Sequence, residues 1–252
     1  MKKIIFALTL ITLFILSNCN PQKSQDKIAA EERTAALEEV QIEAMVIGER
    51  FVRQEIDKAK FLLVKYRILE TIYGDLNNDG KNDCVLIIQD TNKNNIIVDE
   101  YGGELDRNRR GIIIAFNTGS NYEYVMENRS CFSSGNEDEG IYFTPDLSVS
   151  IQRGNLYIHY SHGRYGYWQY TFRYRNSNFE LIGYDRSENR GPITERTISI
   201  NFLTARKQTK INTNENAYED GQEVFVETWE NIRINQIPKL SEIFDFDGLD
   251  FL

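Results

Sequence analysis

Cysteine is scarce in this chain of 252 residues: it has three, at positions 19, 84 and 131, too few for a fold built on disulfides. Histidine is scarcer still, with two. His159 and His162 stand in HYSHGRYGYWQY, one on an expected strand and one in the turn after it, with no Cys or acid at ligand spacing, which argues against a zinc site. No GxSxG-like elbow supports a Ser-His-Asp hydrolase. Positive charge is in deficit, with 29 Lys and Arg against 38 Asp and Glu and a net charge of −9, so the basic footprint of a nucleic-acid binder is missing. The apolar run over residues 4–16 would reach only about 20 Å as a helix, short of the ~30 Å hydrocarbon core. No internal repeat is found, which weakens the case for a propeller whose motif recurs blade by blade.

The amino terminus, MKKIIFALTLITLFILSNC, places Lys2 and Lys3 before that apolar run, then small polar residues and Cys19, the layout of an export signal. The junction Leu16, Ser17, Asn18, Cys19 resembles the lipobox of bacterial lipoproteins, although Asn18 stands where Gly, Ala or Ser is usual. The resemblance implies removal of residues 1–18, acylation of Cys19 and a membrane anchor stronger than a single myristoyl chain. The alternative is an ordinary cleaved signal with an incidental cysteine. Loss of residues 1–18, which carry two lysines and no acid, takes the net charge to −11. That acidity serves solubility. The polar stretch 19–27 has no compact acidic cluster, so the expected location is the cell envelope, facing the periplasm rather than the cell surface. Cys84 and Cys131 are then in a compartment that permits a disulfide, with a buried free thiol at Cys84 the alternative.

Residues 28–63, rich in Ala, Glu, Leu and Arg and free of proline, predict a helical segment interrupted near Gly48, either lying on the domain or forming a stalk. From residue 64 to 252 the pattern changes to short runs rich in β-branched and aromatic residues: RILETIY, CVLIIQ, GIIIAFN, YEYVME, LSVSIQ, LYIHYS, YWQYTFRY, FELIGYD, TISINFLT and EVFVETW. IQRGNLYI and RYRNSNFELI carry the Gly or Asn breaks of tight hairpins. KLSEIF after Pro238 predicts one short helix. The expected fold is mainly β, with antiparallel sheets in a sandwich-like or partial propeller-like arrangement and an N-terminal helix.

YGDLNNDGKNDCVLI, residues 73–87, sets Asp75, Asn77 and Asp79 at alternate positions before Gly80, with Lys81 and Asp83 following. Calcium takes six to eight hard oxygen ligands, and alternate side chains of a tight loop can turn inward to supply them. Asp75, Asn77, Asp79, the Lys81 carbonyl and Asp83 are the candidate ligands. An EF-hand would need a Glu where Leu86 stands, and a strand follows the loop, so an EF-hand is excluded. The competing reading is an Asn- and Asp-rich turn that binds nothing.

The stretch resembles the D-x-[DN]-x-D-G-x-x-D loop of FG-GAP and VCBS-type repeats, the calcium hairpins of integrin-like propellers. More broadly, lipobox, helical segment, ILETIYGDLNNDGKNDCVLI, RNRRGIIIAF, LYIHYSHGRYGYWQYTFRY and ISINFLT together resemble a group of bacterial lipoproteins with one such loop. That resemblance implies a structural calcium ion and a lipid anchor, and no particular reaction.

In β-strand geometry Trp168, Tyr170, Phe172 and Tyr174 alternate with Tyr167, Gln169, Thr171 and Arg173, so one set faces the core. The other, with His162, Arg164 and Tyr165 of the preceding loop, would form a ligand platform; His162, Arg164, Tyr165, Tyr167 and Trp168 are its candidates. Flat rings beside hydrogen-bonding groups suit a glycan or a peptide. The acids Glu137, Asp138 and Glu139 could imitate a glycosidase pair, but with 38 acids in the chain such clusters are routine. The expected function is a lipid-anchored, non-enzymatic binding or structural module with a glycan, peptide or envelope-protein partner. The alternative is a hydrolase of envelope or other glycans.

Overall fold

The computed structural model describes residues 65–99, 102–136, 145–246, 249 and 251. The expectations for Cys19, the 19–27 tether, the helical segment 28–63 and the acids Glu137, Asp138 and Glu139 lie outside those residues.

Among the described residues, thirteen strands form three antiparallel sheets: β1 (Tyr66–Gly74), β2 (Asp83–Asp90), β3 (Ile96–Val98), β4 (Glu104–Asp106), β5 (Arg110–Asn117), β6 (Tyr122–Phe132), β7 (Asp146–Gln152), β8 (Asn155–Ser161), β9 (Gly166–Arg175), β10 (Asn178–Arg190), β11 (Ile193–Asn201), β12 (Arg206–Asn212) and β13 (Phe225–Asn231). A four-stranded sheet has the order β1-β2-β5-β6, and β3 and β4 form a separate ribbon between β2 and β5. The remaining strands make a seven-stranded meander in which every neighbour in sequence is a neighbour in space. Every expected strand run overlaps one of these elements. Two tight hairpins fall where the Gly and Asn breaks place them. Arg153 and Gly154 have φ of 51° and 73°, and Asn176 and Ser177 have 50° and 59°, the paired positive φ values of a type I′ turn that suits the twist of the flanking strands. KLSEIF contributes only a 3₁₀ turn over Leu240–Glu242.

The two larger sheets share one core. Val85, Ile87, Ile112 and Ile114 from the smaller sheet pack with Leu156, Ile158, Tyr170, Phe172, Leu181, Ile198 and Ile200 from the larger. Such alternation is what period-2 side-chain geometry requires, and each fully buried Ile, Leu or Phe contributes about 1.5–3 kcal/mol of transfer free energy. The carboxyl-terminal stretch closes the core: the Phe246 ring stacks on Phe132 at 5.2 Å and meets Tyr170 edge-on at 4.8 Å. The Tyr170 hydroxyl donates to the Phe246 carbonyl at 3.1 Å.

Neither Cys84 nor Cys131 is in a disulfide, and both are buried. Cys131 belongs to the core between the sheets, whereas Cys84 belongs to a second apolar cluster, with Leu86, Ile88 and Ile113, on the opposite face of the four-stranded sheet. The disulfide alternative is thereby settled in favour of separate buried thiols.

Candidate functional site

Gly74 and Asp83 form the last registered pair of β1 and β2, so the acidic loop is the connection between them. Within it, the Asp79 amide donates to Asp75 Oδ1 at 3.2 Å and to Asn77 Oδ1 at 3.0 Å, which brings those two oxygens around one point. The Gly80 amide donates to Asp75 Oδ2 at 2.9 Å and the Lys81 amide to Asp79 Oδ1 at 2.9 Å. Asn78 and Gly80 take φ of 61° and 82°, the left-handed conformation that turns the chain this tightly. Lys81 Nζ lies 3.3 Å from Asp79 Oδ2. The Lys81 amide is the largest influence holding the Asp79 carboxyl below its ordinary value, with the ammonium adding to it.

Asp83 behaves differently. It is fully buried, and its carboxylate accepts the Leu76 amide at 2.8 Å and the Asn117 amide at 2.9 Å. Burial pushes its pKa up, against the pull of the Asn117, Leu76 and Asn77 amides. Asp83 therefore fastens the loop to the end of β5. Leu76, between two expected ligands, is 1% exposed and sits in the inter-sheet core. Asn78 on the loop rests on the β7–β8 turn, where a Cβ on Gly154 would lie 2.6 Å from Asn78 Oδ1. The loop thus touches both large sheets. Among the described residues no three His, Cys, Asp or Glu side chains form a ready metal cluster. The Asp75 and Asn77 oxygens converge on the Asp79 amide, the Asp79 carboxylate accepts from Lys81, and Asp83 stands apart as a strut.

The aromatic candidates divide. Trp168 packs against the inter-sheet core with Tyr170 and Phe172, its ring stacked on Tyr160 at 5.5 Å and 16°. Tyr167 points the other way and packs on His159, ring centres 5.1 Å apart. At the sheet end, the His162 and Tyr165 rings are 5.1 Å apart, and the Arg164 guanidinium lies 5.3 Å from the Tyr165 centroid. Tyr165 is 53% exposed. His162, Arg164 and Tyr165 therefore form a rim, Tyr167 lies on the outer face, and Trp168 supports the core.

The outer face of the seven-stranded sheet also carries a row that single-strand reasoning does not reveal. Strand register places Ser148, His159, Gln169, Asp185, Ser199, Gln208 and Trp229 directly opposite one another from β7 to β13. None of the seven is buried. Ser199 Oγ donates to Asp185 Oδ1 at 2.7 Å, and the Arg206 guanidinium lies 4.5 Å over the Trp229 ring. No family model, curated protein or solved structure matches the chain.

Proposed function

We propose that the protein is a lipid-anchored module of the cell envelope that binds a glycan without cleaving it, with one structural calcium site. The observation that carries the binding reading is the registered outer row. It crosses six inter-strand steps of ~4.8 Å, about 29 Å in all, with the Trp229 ring at its β13 end, hydrogen-bonding side chains along it, and the Tyr167 ring beside it on β9, packed on His159. Flat rings cover the apolar faces of sugars while amides, hydroxyls and carboxylates take their hydroxyl groups. The test is calorimetric titration with soluble glucan, xylan and peptidoglycan fragments, followed by chromatography of the sugars. Binding that Tyr167→Ala and Trp229→Ala weaken without lowering Tm supports the reading. Released shorter sugars would favour the hydrolase.

The calcium reading rests on the donor set of the β1–β2 loop and on its likeness to FG-GAP and VCBS-type hairpins. Asp75 and Asn77 supply hard oxygens that meet around the Asp79 amide, the Asp79 carboxylate lies in the same loop on Lys81, and the Lys81 carbonyl is the backbone candidate. When bound, calcium would supply charge that offsets Asp75 and Asp79, which here lean on backbone amides and one ammonium. Because the loop touches both sheets, the ion's role is structural. The anchor rests on the Cys19 junction; fatty-acid labelling that fails to mark the wild type, or marks Cys19→Ser equally, refutes it.

A further inference from the structure

β13 ends the order of the seven-stranded sheet, and all seven of its residues are exposed. Val226 on one face and Trp229 on the other keep 53% and 51% of their surface. Its pairing with β12 runs from Phe225 to Asn231 without a register shift. The edge strands of the smaller sheet are blunted by comparison: β1 shifts register between Ile68 and Glu70, and β6 shifts twice against β5. Bulges, proline and lysine are common protections of an open sheet edge, and FVETWEN has none of the three.

The direction of the β13 backbone follows from its two ends. The Thr213 amide donates to the Val224 carbonyl at 2.8 Å and the Ile232 amide to the Ala205 carbonyl at 2.9 Å, so the even-numbered residues face β12. In an antiparallel ladder the alternate residues, Phe225, Glu227, Trp229 and Asn231, then aim their N–H and C=O groups away from it. We infer that this edge pairs with the β13 of a second copy of the chain, antiparallel about a two-fold axis at Trp229. A two-fold contact uses the same patch on both copies, so edge pairing must be antiparallel, with outward residues facing outward residues. An axis at Glu227 would set that acid against itself, and one at Thr228 would set Val226 against a glutamate. An axis at Trp229 instead puts ring beside ring, Val226 opposite Ile232 of the second copy, and Glu227 opposite its Asn231. Directly opposed like charges are destabilising, and this register has none. Nor does the meeting concentrate unmet acid, because Lys207 Nζ lies 3.2 Å from Glu230 and Lys210 Nζ 3.8 Å from Glu227 within each copy. Two seven-stranded sheets then join into one of fourteen strands, whose outer rows meet end to end over thirteen steps of ~4.8 Å, about 62 Å. That length bears on ligand only through the glycan reading, whereas the pairing itself does not rest on it.

Disulfide trapping tests the register without any ligand, so a failure here is separate from a failure to bind glycan. The full chain carries Cys19→Ala, and Cys84 and Cys131 are buried. Opposed residues of a hydrogen-bonded pair have Cα atoms about 5.5 Å apart, within disulfide reach. Trp229→Cys treated with a mild oxidant should therefore link two copies, seen as a doubled mass that a reductant reverses. Glu227→Cys, whose counterpart lies four residues along, roughly 13 Å away, should link severalfold less. Adding Glu227→Pro to Trp229→Cys removes an outward amide and leaves the ladder to β12 intact, so it should abolish the link. Protection of Cys131 from a thiol reagent confirms that each variant is folded. No link from Trp229→Cys in folded protein, equal linking from Glu227→Cys, or a link that survives Glu227→Pro would overturn the inference. So would links formed only to a different protein when whole cells are oxidised, which would assign the edge to another partner.

Discussion

Asp83 holds the Leu76 amide with one carboxylate oxygen, at 2.8 Å, and the Asn117 amide with the other, at 2.9 Å, while fully withdrawn from solvent. One side chain thus pins the acidic loop and the end of β5 to the start of β2. Replacing it strands two amides, each unmet buried group costing about 1–3 kcal/mol. Asp83→Ala should lower the unfolding free energy by about 3 kcal/mol and Asp83→Asn by about half of that. Urea melts should give the same loss in chelator and in calcium, because this strut acts without an ion. A loss seen only in calcium would make Asp83 a ligand instead.

The two rings that sequence alone groups together should separate on mutation. Trp168 packs in the core on Tyr160, so Trp168→Ala should cost about 3 kcal/mol. Tyr165 is 53% exposed on a rim, so Tyr165→Ala should stay within about 0.5 kcal/mol. Thermal unfolding of both variants checks the division, and a large loss for Tyr165→Ala would contradict it.

What the sequence discloses follows from which interactions are local. The strand runs of β2, β5, β8 and β9 are legible because a half-buried or doubly buried strand must show its faces in its own residues. RKQTKIN, β12, shows none, and it is a strand because β11 and β13 pair with it on either side. In β9 both alternating sets are aromatic or long, so only register with Tyr184, opposite Tyr170, tells which set meets the core. Leu76 is hidden in the same way, as one apolar residue among candidate ligands whose core contact depends on the facing sheet. The outer row needs six registers at once, and no single segment contains that information.

Cys131 gives the fold an alkaline limit. Burial pushes its thiol up to about 12 from an ordinary value of 9.0. The folded pKa is the higher one, so this contribution is whole below pH 9 and is lost as pH rises from 9 to about 12, at about 1.4 kcal/mol per unit. Burial shifts the Tyr122, Tyr124 and Tyr167 phenols in the same direction. Stability measured by urea at pH 8, 9, 10 and 11 should therefore fall steadily, and Cys131→Ala should flatten part of that slope. A wild-type curve with no decline would show that the thiol ionises without opening the core.

The β1–β2 loop decides between an ion and a lysine. Asp79 now has Lys81 Nζ at 3.3 Å and the Lys81 amide at 2.9 Å, so part of its charge is already met within the loop. An ion that binds only the folded loop adds RT ln(1 + [Ca²⁺]/Kd): with ~1 mM calcium, roughly 2.7 kcal/mol at a Kd of ~10⁻⁵ M and roughly 0.4 at ~10⁻³ M. Asp79→Ala deletes a candidate ligand and should abolish the difference in Tm between calcium and chelator. Lys81→Ala keeps the backbone carbonyl but removes the competing ammonium, so it should widen that difference. The two variants thus move the calcium effect in opposite directions, which a general loss of stability would not do. If the wild-type Tm is the same in excess chelator and in several millimolar calcium, and Lys81→Ala only lowers it in both, the loop is neutralised by its own lysine and amides and holds no metal.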